Sequence, residues 1–268
     1  MVINNLRHAL PEISEKERKK IASKFYRNFI DNWIETIKLI SISRKSLHKR
    51  ISGNFEIFNR LHASGKSAQL SLGHIFNWEM MGLHIGVNYH YTLLSVYMPQ
   101  RSKISDRLMK YIRGRWGNYL IPSSEMVKSI LPWRKKQYLL GLIADQSTPL
   151  VENKYWLYFL NRPTGFAKGT VKFARSQNIP VVMPIVTKPK RGHYHFDFFL
   201  LTDDPKSLSE GEMIRMYVKR LEENIRLQPD IYLWSHKRWK REWKAEYENL
   251  WMDNIPSPTQ SENIKEEI

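Results

Sequence analysis

Apolar residues along the chain switch repeatedly between helical and strand spacing. Between Ser14 and Ile40 they recur at helical spacing, and Ser14 with Glu17 has the sequence of a capping box, so a long amphipathic helix is predicted there. The run over 137–144 is nearly all apolar, as in a buried parallel strand. We predict further helices over 54–63, 78–87, 104–116, 123–131, 168–177 and 210–227, and further strands near 51 and over 67–72, 91–98, 119–121, 155–160, 181–186 and 193–201. The alternation predicts an α/β fold with a largely parallel mixed sheet and helices on both faces.

The length of 268 residues suits one large domain, which we place at residues 1–252. The tail over 253–268 contains Pro256 and Pro258 and ends in polar and acidic residues, so it is predicted to be disordered. No apolar run approaches the roughly 20 residues that span a bilayer. The absence of cysteine excludes disulfides, thiolate zinc sites and cysteine nucleophiles.

The net charge of +17 predicts a polyanionic partner: nucleic acid, an anionic lipid surface or an acidic carrier protein. Nine Trp and 13 Tyr suit a membrane interface, and they equally suit stacking on single-stranded bases. The helix after Ser14 is basic from Lys16 to Arg27, which favours contact with anionic headgroups. A core-packed helix with a solvated basic end fits the same pattern.

The main candidate for catalysis is His74, in a turn that joins a short strand to a helix beginning near Asn77. On one continuous helix His74 and Glu79 would lie about 140° apart. With His74 in the turn, both side chains can converge at the carboxyl end of the strand, where open α/β sheets usually keep their chemistry. A carboxylate on one ring nitrogen would leave the other as a general base. A structural histidine and a glutamate that favours the helix N-terminus would give the same spacing.

Other polar residues are candidates for substrate binding. Arg113 and Arg115 could hold a lipid phosphate through paired N–H groups, or could belong to a solvated helix face. Asp145 and Gln146 follow the buried strand over 137–144, where Asp145 could position the acceptor or an arginine, or cap a turn. Arg238 could contact headgroups or seal the domain.

Several of these residues fall in blocks that resemble one known superfamily. The turn around His74 resembles the His-x4-Asp/Glu block of the glycerolipid acyltransferases, and its Asn-Trp-Glu ending looks most like the late lipid A acyltransferases. The other matching blocks are Asn5 to Glu12, Asp106 to Gly117, Asp145-Gln146, Tyr158 to Gly169, Val182 to Pro184 and Pro229 to Lys240. The resemblance covers residues 5 to about 240. It departs at Leu160-Asn161, where an aromatic residue and glycine are commoner.

The resemblance implies a glycerolipid acyltransferase-like fold and an acyltransferase without cofactor or metal. It implies catalysis by His74 and Glu79, an acyl-acyl carrier protein as donor, and a hydroxylated acyl chain on a Kdo-bearing lipid A precursor as acceptor. Binding of these substrates is assigned to Arg113, Arg115, Asp145, Gln146 and Arg238. The expected location is the cytoplasmic face of the bacterial inner membrane, held peripherally, because the family's N-terminal anchor is not part of the printed sequence.

Three alternatives stay open at this point. The first, within the family, is O-acylation of a lyso-aminolipid or lysophospholipid. The second, from another class, is a basic nucleic-acid-binding module, which would interleave stacking aromatics with Lys and Arg. The third concerns His193, His195 and Asp197, which alternate along a strand and could hold a metal, although an exposed edge strand explains them as simply.

Overall fold

The computed structural model describes residues 1–146 and 150–261. Its helices are α1 (Val2–Ala9), α2 (Glu15–Lys38), α3 (Arg44–His48), α4 (Glu56–Ala63), α5 (Trp78–Asn88), α6 (Lys103–Gly114), α7 (Met126–Ile130), α8 (Gly169–Gln177) and α9 (Glu210–Leu227). Its strands are β1 (Ile51–Gly53), β2 (Ala68–Leu72), β3 (Thr92–Tyr97), β4 (Tyr119–Pro122), β5 (Tyr138–Ile143), β6 (Lys154–Phe159), β7 (Arg162–Ala167), β8 (Val181–Lys190) and β9 (His193–Thr202). The predicted α/β class is confirmed.

Seven strands form the main sheet, in the order β1-β9-β8-β2-β5-β3-β4. The five strands from β8 to β4 run parallel, whereas β9 pairs antiparallel with β8 and β1 follows the direction of β9. The sheet is therefore largely parallel but mixed. Its centre is the pair β2–β5, in which Leu72 lies opposite Ile143. The carboxyl ends of these two strands consequently meet at one edge.

Apolar side chains cover both faces of this sheet. Along β5, Leu139 belongs to the large cluster that includes α5 and α9, whereas Leu140 belongs to a second cluster near α7. Successive residues of a strand point to opposite faces, so β5 is buried on both. This explains the continuous apolar run in its sequence.

The long helix α2 begins as predicted. The hydroxyl of Ser14 accepts from the N–H of Glu17, and the Glu17 carboxylate accepts from the N–H of Ser14, which completes the capping box. Both orphan donors are thereby satisfied at the start of the helix. The helix then runs on to Lys38, and one side of it packs on the core through Phe25.

Strands β6 and β7 form a separate hairpin. The sequence pattern predicted β6 but did not predict β7. The turn of the hairpin is formed by Leu160 and Asn161, which have φ of 48° and 65°. A two-residue hairpin with positive φ at both positions favours Gly and Asn, which accounts for the glycine that is commoner here. The Leu160 side chain is fully buried, and its N–H donates to Glu222. The departure from the family pattern thus lies in a turn.

The tail predicted to be disordered is ordered over its described part. An oxygen of Asp253 accepts from the N–H of Tyr158 at 2.8 Å, and the hydroxyl of Ser257 donates to Glu248 at 2.7 Å. These contacts hold residues 253–261 to the domain; residues 262–268 of the predicted tail lie outside the described residues.

Candidate active site

His74 and Asp145 are brought together by the register of the two central strands. Each residue lies two positions beyond a strand end, and those ends, Leu72 and Ile143, are paired. The ring Nδ1 of His74 lies 2.5 Å from Oδ1 of Asp145. The backbone N–H of His74 donates to Oδ2 of the same carboxylate at 3.0 Å. Asp145 therefore fixes both the backbone and the ring of His74.

The expected contact between Glu79 and the His74 ring is wrong. The Glu79 carboxylate instead accepts two N–H groups of Arg113, with Nη2 to Oε1 at 2.5 Å. It also accepts from the indole N–H of Trp78 at 2.9 Å. The physical reason is that Asp145, at the end of the neighbouring strand β5, already bonds to Nδ1 of the His74 ring. Glu79 is nevertheless buried beside the site, 7% exposed.

The Trp78 indole lies between the Glu79 carboxylate and the His74 ring. Its ring meets the His74 ring edge-on, with centroids 5.2 Å apart and planes at 80°. Arg113 thus holds Glu79, Glu79 holds the Trp78 indole, and Trp78 forms a wall against the imidazole. Glu79 thus contacts His74 only through the Trp78 ring.

The C-terminal motif around Tyr232 clamps the His74 turn from the other side. The carbonyl of His74 accepts from the N–H of Leu233 at 3.0 Å, and the N–H of Phe76 donates to the carbonyl of Ile231 at 3.0 Å. Between these bonds, Ile75 and Tyr232 form an isolated antiparallel bridge. The motif therefore supports the turn through its backbone.

Asp145 is held as a carboxylate in a buried setting. Burial would raise its pKa, but the charge of His74, the hydrogen bonds from that residue and the charge of Arg238 outweigh burial, so the pKa is lowered. Burial, followed by the charge of Asp145, raises the pKa of the nearby Tyr232 phenol well above its usual range. The phenol is therefore protonated at neutral pH.

A cavity of about 500 Å³ opens beside His74. Its apolar lining includes Leu70, Leu72, Met81, Leu83, Leu93, Val96 and Ile143. Polar groups lining it include His74, Glu79, Arg113, Ser95, Asn118 and Gln146. The His74 side chain is 17% exposed, and none of the described residues bonds to its Nε2. The site therefore combines a ring nitrogen that no described residue occupies with a large, mostly apolar cavity, as in many small-molecule sites.

The remaining predicted binding residues divide into two groups. Arg113 and Gln146 line the cavity. Arg115 does not: its two terminal nitrogens donate to the carbonyls of Leu39 and Ile42, and it joins the end of α2 to the segment after α6. Arg238 is 4% exposed and donates to the carbonyl of Gly165 at 3.0 Å. Arg115 and Arg238 thus make structural contacts, and Arg238 contributes charge to Asp145.

Sequence reasoning missed the contacts of Tyr232 and Trp78, although both lie in motifs that were recognised. The bridge between Tyr232 and Ile75 joins distant parts of the chain, and the contact of the Trp78 ring with His74 depends on how the turn folds. The possible metal ligand His195 is bonded to Asp197 at 3.0 Å and to the hydroxyl of Ser52 at 2.8 Å. Among residues 1–146 and 150–261, no group of three or more His, Asp or Glu side chains could hold a metal ion.

Residues 2–241 match the family of bacterial lipid A biosynthesis acyltransferases. The chain belongs to this family. No individual curated protein matches it significantly. The match confirms the resemblance read from the sequence motifs and makes this protein an acyltransferase of lipid A and lipopolysaccharide biosynthesis.

Within the described part of the chain, no helix is both long enough and apolar enough to cross a bilayer.

Proposed function

We propose that this acyltransferase moves an acyl chain from an acyl-acyl carrier protein to a hydroxyl of a lipid A precursor, with His74 as general base. The observation that carries the proposal is the contact between His74 Nδ1 and Asp145 at 2.5 Å, beside a cavity of about 500 Å³. Asp145 takes the orienting role that the sequence assigned to Glu79. Glu79, Arg113 and Trp78 form the side of the cavity that lies next to His74.

In the proposed reaction, Nε2 of His74 accepts the proton of the acceptor hydroxyl as its oxygen attacks the thioester carbonyl carbon. The carbon–sulfur bond then breaks, and the carrier thiolate takes the proton back from the imidazolium. Asp145 fixes the ring tautomer that leaves Nε2 unprotonated and stabilises the transient imidazolium. A positioned base of this kind contributes about 10²–10⁴-fold to the rate.

The cavity is the proposed site of the acyl chain. A pocket of about 500 Å³ falls within the usual range of small-ligand sites, roughly 300–1,000 Å³. Burial of the acyl chain against the apolar walls is favourable by about 0.8 kcal/mol of free energy for each methylene removed from water. The polar residues beside His74 would then hold the carbonyl end and the acceptor at the ring.

The strong positive charge supports the proposed partners. A net charge of +17 attracts the acidic carrier protein, the phosphates of lipid A precursors and an anionic membrane surface. Each Lys or Arg near an anionic bilayer contributes about 1 kcal/mol, and the attraction fades within a Debye length of about 10 Å at 0.1 M salt. The proposed working location is the cytoplasmic face of the inner membrane.

The experiment is a transfer assay with purified protein, an acyl-acyl carrier protein and separate acceptors. We expect acylation of a Kdo-bearing lipid A precursor, detected by mass spectrometry, and little acylation of lysophospholipid or lyso-aminolipid. Preferential acylation of a lyso lipid would show that the proposed acceptor is wrong. In a strain that lacks the protein, mass spectrometry of the lipids would show which lipid is missing an acyl chain. The motif departure at Leu160-Asn161 does not favour the lyso lipids, because both residues lie in a hairpin turn and neither lines the cavity.

A further inference from the structure

The solvent side of α2 carries a row of large apolar side chains. The row consists of Tyr26, Ile30, Trp33, Ile34 and Ile37, which are 41% to 60% exposed. Their spacing of three and four residues places all five on one side of the helix. A continuous exposed apolar row on a single helix marks an interaction surface. We call this set the α2 row.

Between Lys19 and Lys38, the exposed charges of α2 are all positive. Exposed basic residues on the same helix are Lys19, Lys20, Lys24, Arg27 and Lys38. The two acidic residues between Lys19 and Lys38 are buried and bonded: Asp31 accepts from Lys188 and Arg191, and Glu35 accepts from Asn77 and Tyr194. Along this stretch the helix therefore shows solvent only apolar, polar and positive side chains.

A series of aromatic contacts joins the α2 row to the active site. Trp33 contacts Phe29 with ring centroids 6.3 Å apart, and Phe29 contacts Phe76 at the same distance. Phe76 then contacts Trp78 at 6.2 Å, and Trp78 is the ring that lies against His74. Four ring contacts thus connect the exposed row to the proposed base.

A second exposed row leads from the cavity. Met98 lines the cavity and is 75% exposed. Shortly after it, α6 exposes Ile104, Leu108 and Tyr111 at spacings of four and three residues, with Ile104 84% exposed. We call these three residues the α6 row. Arg115 ties the segment after α6 to the end of α2. Both rows therefore belong to the part of the protein that surrounds the site.

We infer that the α2 row inserts into the surface of an anionic bilayer and, with the α6 row, sets the active site against the membrane. Helices that lie in a membrane interface combine Trp and aliphatic residues on one face with Lys and Arg beside them. A second copy of the chain is the weaker candidate, since symmetric pairing of two α2 rows would bring their basic flanks together. Part of the binding should therefore survive salt, because inserted apolar area is not screened.

The chain contains no cysteine, so a single introduced cysteine can report insertion at a chosen position. In the full-length protein, Ile30→Cys or Ile37→Cys would carry an environment-sensitive fluorophore, with Leu200→Cys as the matched control. Leu200 is also exposed, but it pairs with Val182 at the start of β8 and so lies at the edge of the sheet away from His74. The probes are vesicles of phosphatidylglycerol with phosphatidylcholine.

Addition of these vesicles should shift the emission of labels at 30 and 37 to shorter wavelength, also in several hundred millimolar salt, and leave the label at 200 unchanged. Labels at 30 and 37 that stay water-like on vesicle-bound protein would overturn the inference. A blue shift without vesicles, together with a dimer in sedimentation, would also overturn it, because a second copy would then cover the row.

Paired substitutions separate this inference from the proposed function on which it rests. We expect Ile30→Gln with Ile37→Gln to weaken vesicle binding in high salt by about tenfold or more, while Leu200→Gln with Ile255→Gln leaves it within twofold. Acyl transfer to a detergent-dispersed acceptor should be unchanged in both, since none of the four residues lines the cavity. Failed transfer by the unsubstituted protein would refute the proposed function alone, whereas unchanged vesicle binding by the first pair would refute the insertion alone.

Discussion

His74 Nδ1 lies 2.5 Å from Asp145 Oδ1, and the second oxygen of that carboxylate accepts the backbone N–H of His74 at 3.0 Å. The pair exists because β2 and β5 are neighbours in register at Leu72 and Ile143. It gives this acyltransferase a buried carboxylate that orients the ring and leaves Nε2 beside the cavity.

Asp145→Asn should lower kcat/KM for transfer by about 10²–10⁴-fold, because the amide can no longer stabilise an imidazolium or fix the tautomer. The measurement is initial-rate transfer with saturating donor. Asp197→Asn is the matched control, since Asp197 is also bonded to a histidine, His195, but is exposed on β9. Equal activity of the two variants would remove Asp145 from the mechanism.

Glu79 and Arg113 should behave as one unit. Glu79→Ala or Arg113→Ala leaves the other charge without its partner, so each should lower the free energy of unfolding by about 1–3 kcal/mol. The double variant should cost clearly less than the sum, and Glu79→Gln should be milder than Glu79→Ala because an amide oxygen still accepts N–H groups. Urea unfolding of the parent, the two alanine variants and the double variant measures the coupling, and Glu79→Gln is measured in the same way. Simple additivity of the two alanine variants would contradict the contact.

Gly141→Ala should shorten the acyl chain that the enzyme prefers. Gly141 lines the cavity, and an added Cβ would meet Leu93 at 3.6 Å, an ordinary contact, so the methyl group occupies cavity space without displacing the backbone. Competition among carrier-bound chains of different length measures the preference. Gly169→Ala is the control, since its Cβ would meet nothing within 4 Å. An unchanged preference in Gly141→Ala would place the acyl chain elsewhere.

His84 should make the protein sensitive to mild acid. Burial, followed by the charge of His48, lowers the pKa of His84 to about 4 from 6.5. The pKa of His84 is lower in the folded than in the unfolded protein, so His84 stabilises the fold fully above about pH 6.5. This contribution to the free energy of unfolding is lost as pH falls towards 4, by up to about 3 kcal/mol. His84→Gln should lose less stability than the parent over this range in urea unfolding, whereas His90→Gln, at an exposed position, should follow the parent. Parallel losses in His84→Gln and the parent would contradict the assignment.

The sequence predicted most of the elements but not the partner of His74. Apolar spacing located α2, α5, α9 and the buried strand β5, because burial on one or two faces leaves a periodic pattern. Apolar spacing does not reveal which strands are neighbours in the sheet. The sequence therefore suggested Asp145 as a substrate ligand and Glu79, which is nearer to His74 along the chain, as the partner of the His74 ring. Strand β7 was missed because Pro163 and Gly165 interrupt a strand pattern, and the hairpin forms outside the main sheet.

The contacts of Arg115 also could not be predicted from the sequence. Its position in a motif rich in arginine suggested a phosphate ligand, and its neighbour Arg113 does reach the cavity. The chain turns after α6, so Arg115 points to the carbonyls of Leu39 and Ile42 at the end of α2. Only the folded backbone distinguishes the two side chains.

The central claim is that His74 is the general base, and transfer by purified His74→Gln under single-turnover conditions tests it most directly. The account predicts that the rate falls by about 10²-fold or more, while binding of the acyl donor and the free energy of unfolding stay near those of the parent. A variant that folds, binds the donor and transfers the chain within a few-fold of the parental rate would contradict it.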